Sequence, residues 1–366
     1  MKTLYIGIMS GTSLDGVDIA LTDFTPNTQR ATLVGTLCVP FPKALRDELL
    51  TLCQPGADEI RRAGLAGQQW ARLAADGVNQ LLLQHGVEAS QVAAIGSHGQ
   101  TIRHHPESGF SVQIGAPALL AELCNIDVIA DFRNRDLAAG GEGAPLVPAF
   151  HAWLLPNLQQ ARALINIGGF ANLTLLSQDG QVSGFDSGPG NVLLDYWAHR
   201  HIGQPYDANG TWARSGQVLS SLLEQMLGDS YFSRPAPKST GREYFHPAWL
   251  EQQLGDTEYA PEDIQATLLE LTARTIADAV CDCEPRPAAI YVCGGGAHNG
   301  LLMERLQELL PDCPVATTAL LAVEPDWMEA MAFAWLAWRH QQRLGGSLPA
   351  VTGARGERVL GATYPA

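Results

Sequence analysis

The segment 7–21, GIMSGTSLDGVDIAL, passes from one apolar run to another through a short stretch of small, hydroxylic and acidic residues bounded by Gly11 and Gly16. Residues 4–10 and 17–22 have strand character, and so short a connection predicts an antiparallel hairpin. GTSLDG has the two-glycine spacing of a P-loop. Val17 and Asp18, however, stand where Lys and Ser or Thr are needed, and a strand follows where a helix is required, so a P-loop is excluded. A turn carrying Gly11, Thr12, Ser13 and Gly16 can still offer backbone N–H groups and hydroxyls to a phosphate, because glycine permits close approach and positive φ. Asp15 and Asp18 are oxygen donors of the kind Mg2+ prefers. The alternative is an ordinary Gly/Asp turn.

The pattern restarts after Pro156. Residues 163–177 form a second apolar hairpin with Gly168 and Gly169 at its turn, and each hairpin opens a stretch of alternating strands and helices. Helices are predicted over 44–53, 65–83, 147–155, 191–201, 262–280, 301–310 and 329–343, and further strands over 92–96, 126–131, 181–185 and 288–293. The stretch 210–242 carries few strand signals. Two α/β halves with similar beginnings suggest an internal duplication and two similar lobes with a cleft between them.

Four further motifs carry candidate chemistry. In NIGGFANLT, Gly168 and Gly169 repeat the logic of the first turn, with Asn166, Asn172 and Thr174 as hydrogen-bonding neighbours; a plain hairpin is the alternative. In CGGGAHNG, the fingerprint G-x-G-x-x-G fails because Asn299 stands in its last position. Gly294, Gly295 and Gly296 nevertheless let a flat ligand lie against the backbone between a strand and a helix. In GFDSGPGN, Asp186 sits at a strand end before a Gly-Pro-Gly turn, where a carboxylate serves as general base if it reaches a water or hydroxyl, or otherwise as a turn or cap residue. In SHGQTIRHHP and DFRNRD, His98 and Gln100 are candidate polar contacts to a substrate. Arg133 and Arg135 can bind a carboxylate bidentately or lie in solvent. Glu329 either favours the helix N-terminus or faces a cleft. KSTGRE (238–243) reads as surface, lid or substrate contact.

A net charge of −15 disfavours nucleic-acid binding. Seven scattered cysteines fit a reducing compartment better than a disulfide framework, and Cys281-x-Cys283 lacks a second pair at zinc spacing. The amino terminus has too short an apolar run for a signal core, and no run approaches the roughly 18 residues of a spanning helix. A cytoplasmic protein without a membrane or nucleic-acid partner is expected.

The order of the parts is more specific than any one of them: phosphate-type hairpin, second glycine hairpin, strand-end Asp, strand-GGG-helix, final helix. It resembles the sugar kinase, actin and Hsp70 superfamily. At residue level MSGTSLDGVD, SHGQTIRH, ADFR, GGEGAPLVPAFH, NIGGFANLT, FDSGPGN, KSTGRE, CGGGAHN and EAMAFAWLA together resemble the anhydro-N-acetylmuramic acid kinases over essentially the whole chain. The resemblance implies an α/β fold of two duplicated ribonuclease H-like lobes with an interlobe cleft. Residues 1–157 would form the first lobe, joined by 340–366, and residues 158–339 the second. It implies conversion of 1,6-anhydro-N-acetylmuramic acid, ATP and water to N-acetylmuramic acid 6-phosphate and ADP in murein recycling. Asp186 would be the base that activates water. Gly11, Thr12, Ser13, Leu14, Asp15, Gly16, Val17 and Asp18 would form the phosphate-facing hairpin, Gly168 and Gly169 the second one, and Gly294–Gly296 the adenosine contact. The acid that commonly helps position Mg2+ in the superfamily's first strand is missing from YIGIMSG, a departure from the pattern that leaves the assignment of Asp15 or Asp18 to Mg2+ open. Arg133 is the expected partner of the substrate's lactyl carboxylate, with His98, Gln100 and Glu329 as further sugar contacts. Closure of the lobes on both ligands is expected, and dimers are common among such kinases, with the aromatic last helix as one surface. Two alternatives stay open. A kinase of another sugar would leave no solvent oxygen in its product, and an actin- or Hsp70-like ATPase would assemble on adding nucleotide or bind peptide.

Overall fold

The computed structural model describes residues 3–11, 14–25, 31–156, 159–236, 238–242 and 244–366. Thr12 and Ser13 of the first turn therefore lie outside the described residues. The strands are β1 (Leu4–Met9), β2 (Gly16–Asp23), β3 (Thr32–Pro40), β4 (Val92–Ser97), β5 (Gln100–His105), β6 (Phe110–Ile114), β7 (Val128–Ala130), β8 (Arg162–Ile167), β9 (Phe170–Leu176), β10 (Val182–Pro189), β11 (Ile290–Cys293), β12 (Val315–Thr317) and β13 (Ala362–Tyr364). They fall into two compact units, Met1–Leu155 with Trp327–Ala366, and Pro156–Asp326.

The first unit holds a six-stranded sheet in the order β13-β7-β4-β1-β2-β3, the second a five-stranded sheet in the order β10-β9-β8-β11-β12. Apart from β13 the plans coincide. Three consecutive antiparallel strands (β1-β2-β3, and β8-β9-β10) are followed by two parallel ones, the fourth beside the first. This ribonuclease H-like order, 3-2-1-4-5, occurs twice along the chain. The duplication that the residues only suggest is explicit in the topology.

Each sheet explains its own sequence. Strand β1 is central and almost wholly buried, so it reads as a continuous apolar run, whereas the edge strand β3 alternates in exposure. Strand β3 escapes the sequence expectation because Thr32, Gly35 and Thr36 dilute its apolar pattern. SHGQTIRHHP, to which the sequence pattern assigns no element, supplies β5 of a separate hairpin with β6. Helix Glu59–His85 buries Trp70, Ala74, Val78 and Leu81, spaced at one face of a 3.6-residue period, and stops at Gly86 in the left-handed conformation.

The domain boundary moves. Helix Met328–Gln341, expected in the second lobe, belongs to the first unit, so the chain returns there at Trp327 rather than at 340. The reason is close packing: a methyl group added at Gly7 would land on the Ala330 carbonyl and the Ala334 nitrogen, and one at Gly96 on the Phe333 carbonyl. Gly7 and Gly96 face each other across β1 and β4. The helix backbone therefore lies directly on the sheet, and Ala330, Ala334 and Ala337 keep that face small. Its aromatic side chains Phe333 and Trp335 are buried within the unit, and Trp338 is half-buried. No helix among the described residues is long and apolar enough to cross a membrane.

Gly7→Ala should destabilise the protein by about 1–3 kcal/mol, because backbone cannot yield as a side chain does. Gly64→Ala, on helix Glu59–His85 with open space at its Cβ, should instead stabilise by about 0.5–1 kcal/mol. Thermal unfolding of the two variants compares the signs; equal shifts would refute the packing account.

Candidate active site

In the second unit the register brings polar residues into one row. Asp186 on β10 pairs with Asn172 on β9, Asn172 with Asn166 on β8, and Asn166 with Cys293 on β11. Directly paired residues share a face, so Asp186, Asn172 and Asn166 project on the same side of the sheet, about 5 Å apart from strand to strand. Strand β10 does not stop before Asp186, as expected, but runs on to Pro189 with a bulge between Asp186 and Gly188. A bulge turns a strand locally and re-aims a side chain. One carboxylate oxygen of Asp186, Oδ2, accepts the Thr240 N–H at 3.0 Å, and its backbone N–H donates to Lys238 O at 2.9 Å. The KSTGRE loop is thus bound to Asp186.

The glycines beside this row divide by cause. A Cβ at Gly294, which has φ 78°, would strike Asn166 Oδ1, and one at Gly296 would strike Ile167. Both are bare because the loop presses on β8. Gly295 is exposed, and its Cβ direction is open to 3.8 Å from Asn191 Nδ2. It is the glycine whose bareness packing does not require. Gly168 is likewise unobstructed, while the carbonyls of Gly168 and Gly169 accept N–H groups from Gly190, Asn191 and Val192 at 2.9–3.0 Å. The start of helix Val192–Ile202 is therefore occupied by the hairpin turn itself. Residues Gly295–His298 form a 3-10 turn before helix Gly300–Leu309, which Asn299 caps through Leu302 N–H at 3.2 Å. These features lie at the carboxyl ends of β8 and β11, where parallel sheets place ligands.

The first unit gathers the other candidates. His98 N–H donates to Ile8 O, and Gln100 Nε2 to Gly11 O at 3.2 Å, which fastens the β4–β5 turn to the end of β1. Arg133 donates to His98 Nε2 at 2.9 Å and to Gly143 O at 2.9 Å. Burial pushes the His98 pKa well below its ordinary value, and the Arg133 charge adds to this. A neutral ring accepting through Nε2 carries its proton on Nδ1. Burial also brings Arg133 down to about 10, against the opposing charges of Glu329 and Asp136. Glu329 is raised to about 6 by burial and by Asp18, with Arg133 pulling the other way. Asp18, Arg133, Glu329 and His98 thus form one electrostatic group. His104 contacts Ser111 and His105 contacts Glu107; His104 is brought down to about 4 by burial and then by the Arg133 charge.

Several residues of the first turn have packing roles. Leu14 and Val17 are in the apolar core, and Gly16 is bare because a Cβ would strike Val39 O on β3. Asp15 is exposed, and its carbonyl accepts the Phe41 N–H. One buried residue was not legible as part of the site: Asp136 accepts Gly143 N–H at 2.9 Å and Thr352 hydroxyl at 2.9 Å, holding the loop whose carbonyl grips Arg133. Its only sequence signal is an acid three residues after that arginine.

The sequence matches the model of a family described as anhydro-N-acetylmuramic acid kinase over residues 3–366. Curated proteins of that description are 55% identical over 364 residues in Pseudomonas putida, covering 99% of both chains, and 54% identical in Pseudomonas syringae pv. syringae, covering 100% of both. One from Shewanella loihica is 53% identical, over 100% of this chain and 99% of its own.

The raised Glu329 pKa sets the sign of a pH effect. Between about 4.5 and 6 the folded state keeps a proton that the unfolded state has lost, so this group's contribution to stability declines as pH rises through that window. Glu329→Gln lacks the effect. Its stability relative to wild type should rise by up to about 2 kcal/mol from pH 4.5 to above 6 and then stay constant. Urea midpoints across pH test this, and a pH-independent difference would refute it.

Proposed function

The chain belongs to the anhydro-N-acetylmuramic acid kinase family, and from that membership we propose that it converts 1,6-anhydro-N-acetylmuramic acid, ATP and water to N-acetylmuramic acid 6-phosphate and ADP. The observation that carries the mechanism is Asp186, set on a bulge at the end of a polar row. Its carboxylate takes a proton from water, the water oxygen bonds to the anomeric carbon, and the bond from that carbon to O6 breaks. The electron pair left on O6 then attacks the γ-phosphorus, and ADP departs. Ring opening thereby creates the nucleophile that phosphoryl transfer needs.

The remaining roles follow from the two units taken separately. In the second, the turn at Gly168 and Gly169 is the second phosphate-facing hairpin, and the open face of Gly295 receives the adenosine part of ATP, with Gly294 and Gly296 letting the loop approach β8. In the first, the turn Gly11–Asp18 faces phosphate. Arg133, oriented by His98 and Gly143, takes the lactyl carboxylate, and Gln100 and Glu329 contact the sugar. If Mg2+ accompanies ATP, the chemistry it would supply is neutralisation of charge on the phosphoryl oxygens. Asp18, beside Glu329, fits as its carboxylate; the exposed Asp15 is the more remote choice. The enzyme works in the cytoplasm, where ATP is available, on sugar recovered from murein.

Product formed in H2(18)O should carry one heavy oxygen at the anomeric position, and Asp186→Asn should lower kcat by about 10^2–10^4. Phosphorylated product without solvent oxygen would replace the coupled reaction with simple phosphorylation. Two variants separate the ligands: Gly295→Leu should raise KM for ATP, and Arg133→Ala KM for the sugar, each by about tenfold or more. An unchanged KM in either case removes that residue from the assignment.

A further inference from the structure

Strand β10 is an edge strand, and at Asp186 both of its backbone groups bond outward, away from β9. The N–H donates to Lys238 O, and the carbonyl accepts the Tyr231 hydroxyl at 2.7 Å. Tyr231 is fully buried, and every side of it is fixed. Its N–H donates to Asp229 Oδ1 at 2.8 Å, and Asp229 is itself held by the Tyr244 hydroxyl at 2.6 Å and Trp249 Nε1 at 2.9 Å. Lys238 Nζ lies 4.9 Å from the Tyr231 ring centroid and donates to Phe232 O at 3.1 Å. Phe232 closes on Gly188, the residue after the bulge, where an added Cβ would lie 2.8 Å from its ring.

We infer that Tyr231 is a positioning residue for Asp186, its hydroxyl pinning the bulged carbonyl so that the carboxylate keeps the aim needed for general-base catalysis. The inference rests on the reading of Asp186 as the base. A bulge leaves a strand locally free to twist, and the Tyr231 hydroxyl holds the carbonyl at that point. It does so from a rigid aromatic cluster of Tyr231, Tyr244, Phe245 and Trp249. Removing it changes neither charge nor core volume. It releases the backbone that carries the base, and small misplacements of a reacting group are costly in rate.

Tyr231→Phe should lower kcat about tenfold while KM for ATP and for the sugar each stay within about twofold. In an Asp186→Asn background, with slow product formation followed over hours, the same substitution should change the rate less than about twofold, because the group being aimed is gone. Wild-type kcat in Tyr231→Phe, or an equal loss in both backgrounds, would overturn the inference. Wild-type kcat in Asp186→Asn alone would instead overturn the base assignment, a distinct result. Should Tyr231→Phe fail to fold, Lys238→Met loosens the same segment and should lower kcat about two- to fivefold with both KM values held; unchanged kcat there would overturn the inference equally.

Discussion

The contact between helix Met328–Gln341 and the sheet at Gly7 and Gly96 governs the first unit. With no Cβ on either strand, the carbonyls of Ala330 and Phe333 reach the sheet backbone, closer than any side chain would allow. Glu329 precedes Ala330, so its position is set by the same contact. Asp18 pairs with Met9, two residues beyond Gly7 on β1. The strand that fixes the helix therefore also fixes the acid against which Glu329 titrates. Loosening the helix would alter packing and electrostatics together, since both depend on one backbone distance.

The second unit uses the same device on a smaller scale. Gly294 and Gly296 press the loop after β11 onto β8, at Asn166 and Ile167. Runs of glycine invite a ligand interpretation as a block, yet here two of three are required by packing. What they achieve is placement: they carry Gly295, with its open face, to the edge of the polar row that ends at Asp186. The first turn divides in the same way, Gly16 being bare for β3. Glycine in both units first brings backbone to backbone, and ligand access is a consequence of where that leaves the remaining residues.

The legible parts of the sequence were those with a strong period or a tight turn. Both hairpins and the long helices stand out because burial on one face leaves a regular pattern. Strand β3 did not, because an edge strand with Gly35 and two threonines carries a weak pattern, and β5 was hidden because the run Arg103, His104 and His105 is polar on both faces. The return of the chain at Trp327 was missed because the signal is an absence: Ala330 and Ala334 are small to suit glycines more than 230 residues earlier. Asp186 was legible as a strand-end acid, but the bulge was not, since Ser187 looks like any loop residue. Tyr231 and Asp136 were beyond reach for a related reason. Each acts through a backbone group distant in sequence, and no local pattern records such a bond.

The electrostatics of the first unit follow from these placements. His98 is kept neutral by burial, so it orients Arg133 through a lone pair and does not oppose it with a second full charge. The guanidinium then serves as the local cation, yet Glu329 is still raised to about 6, which means burial and Asp18 outweigh Arg133. A phosphate approaching this group would meet net repulsion in a chain already carrying −15.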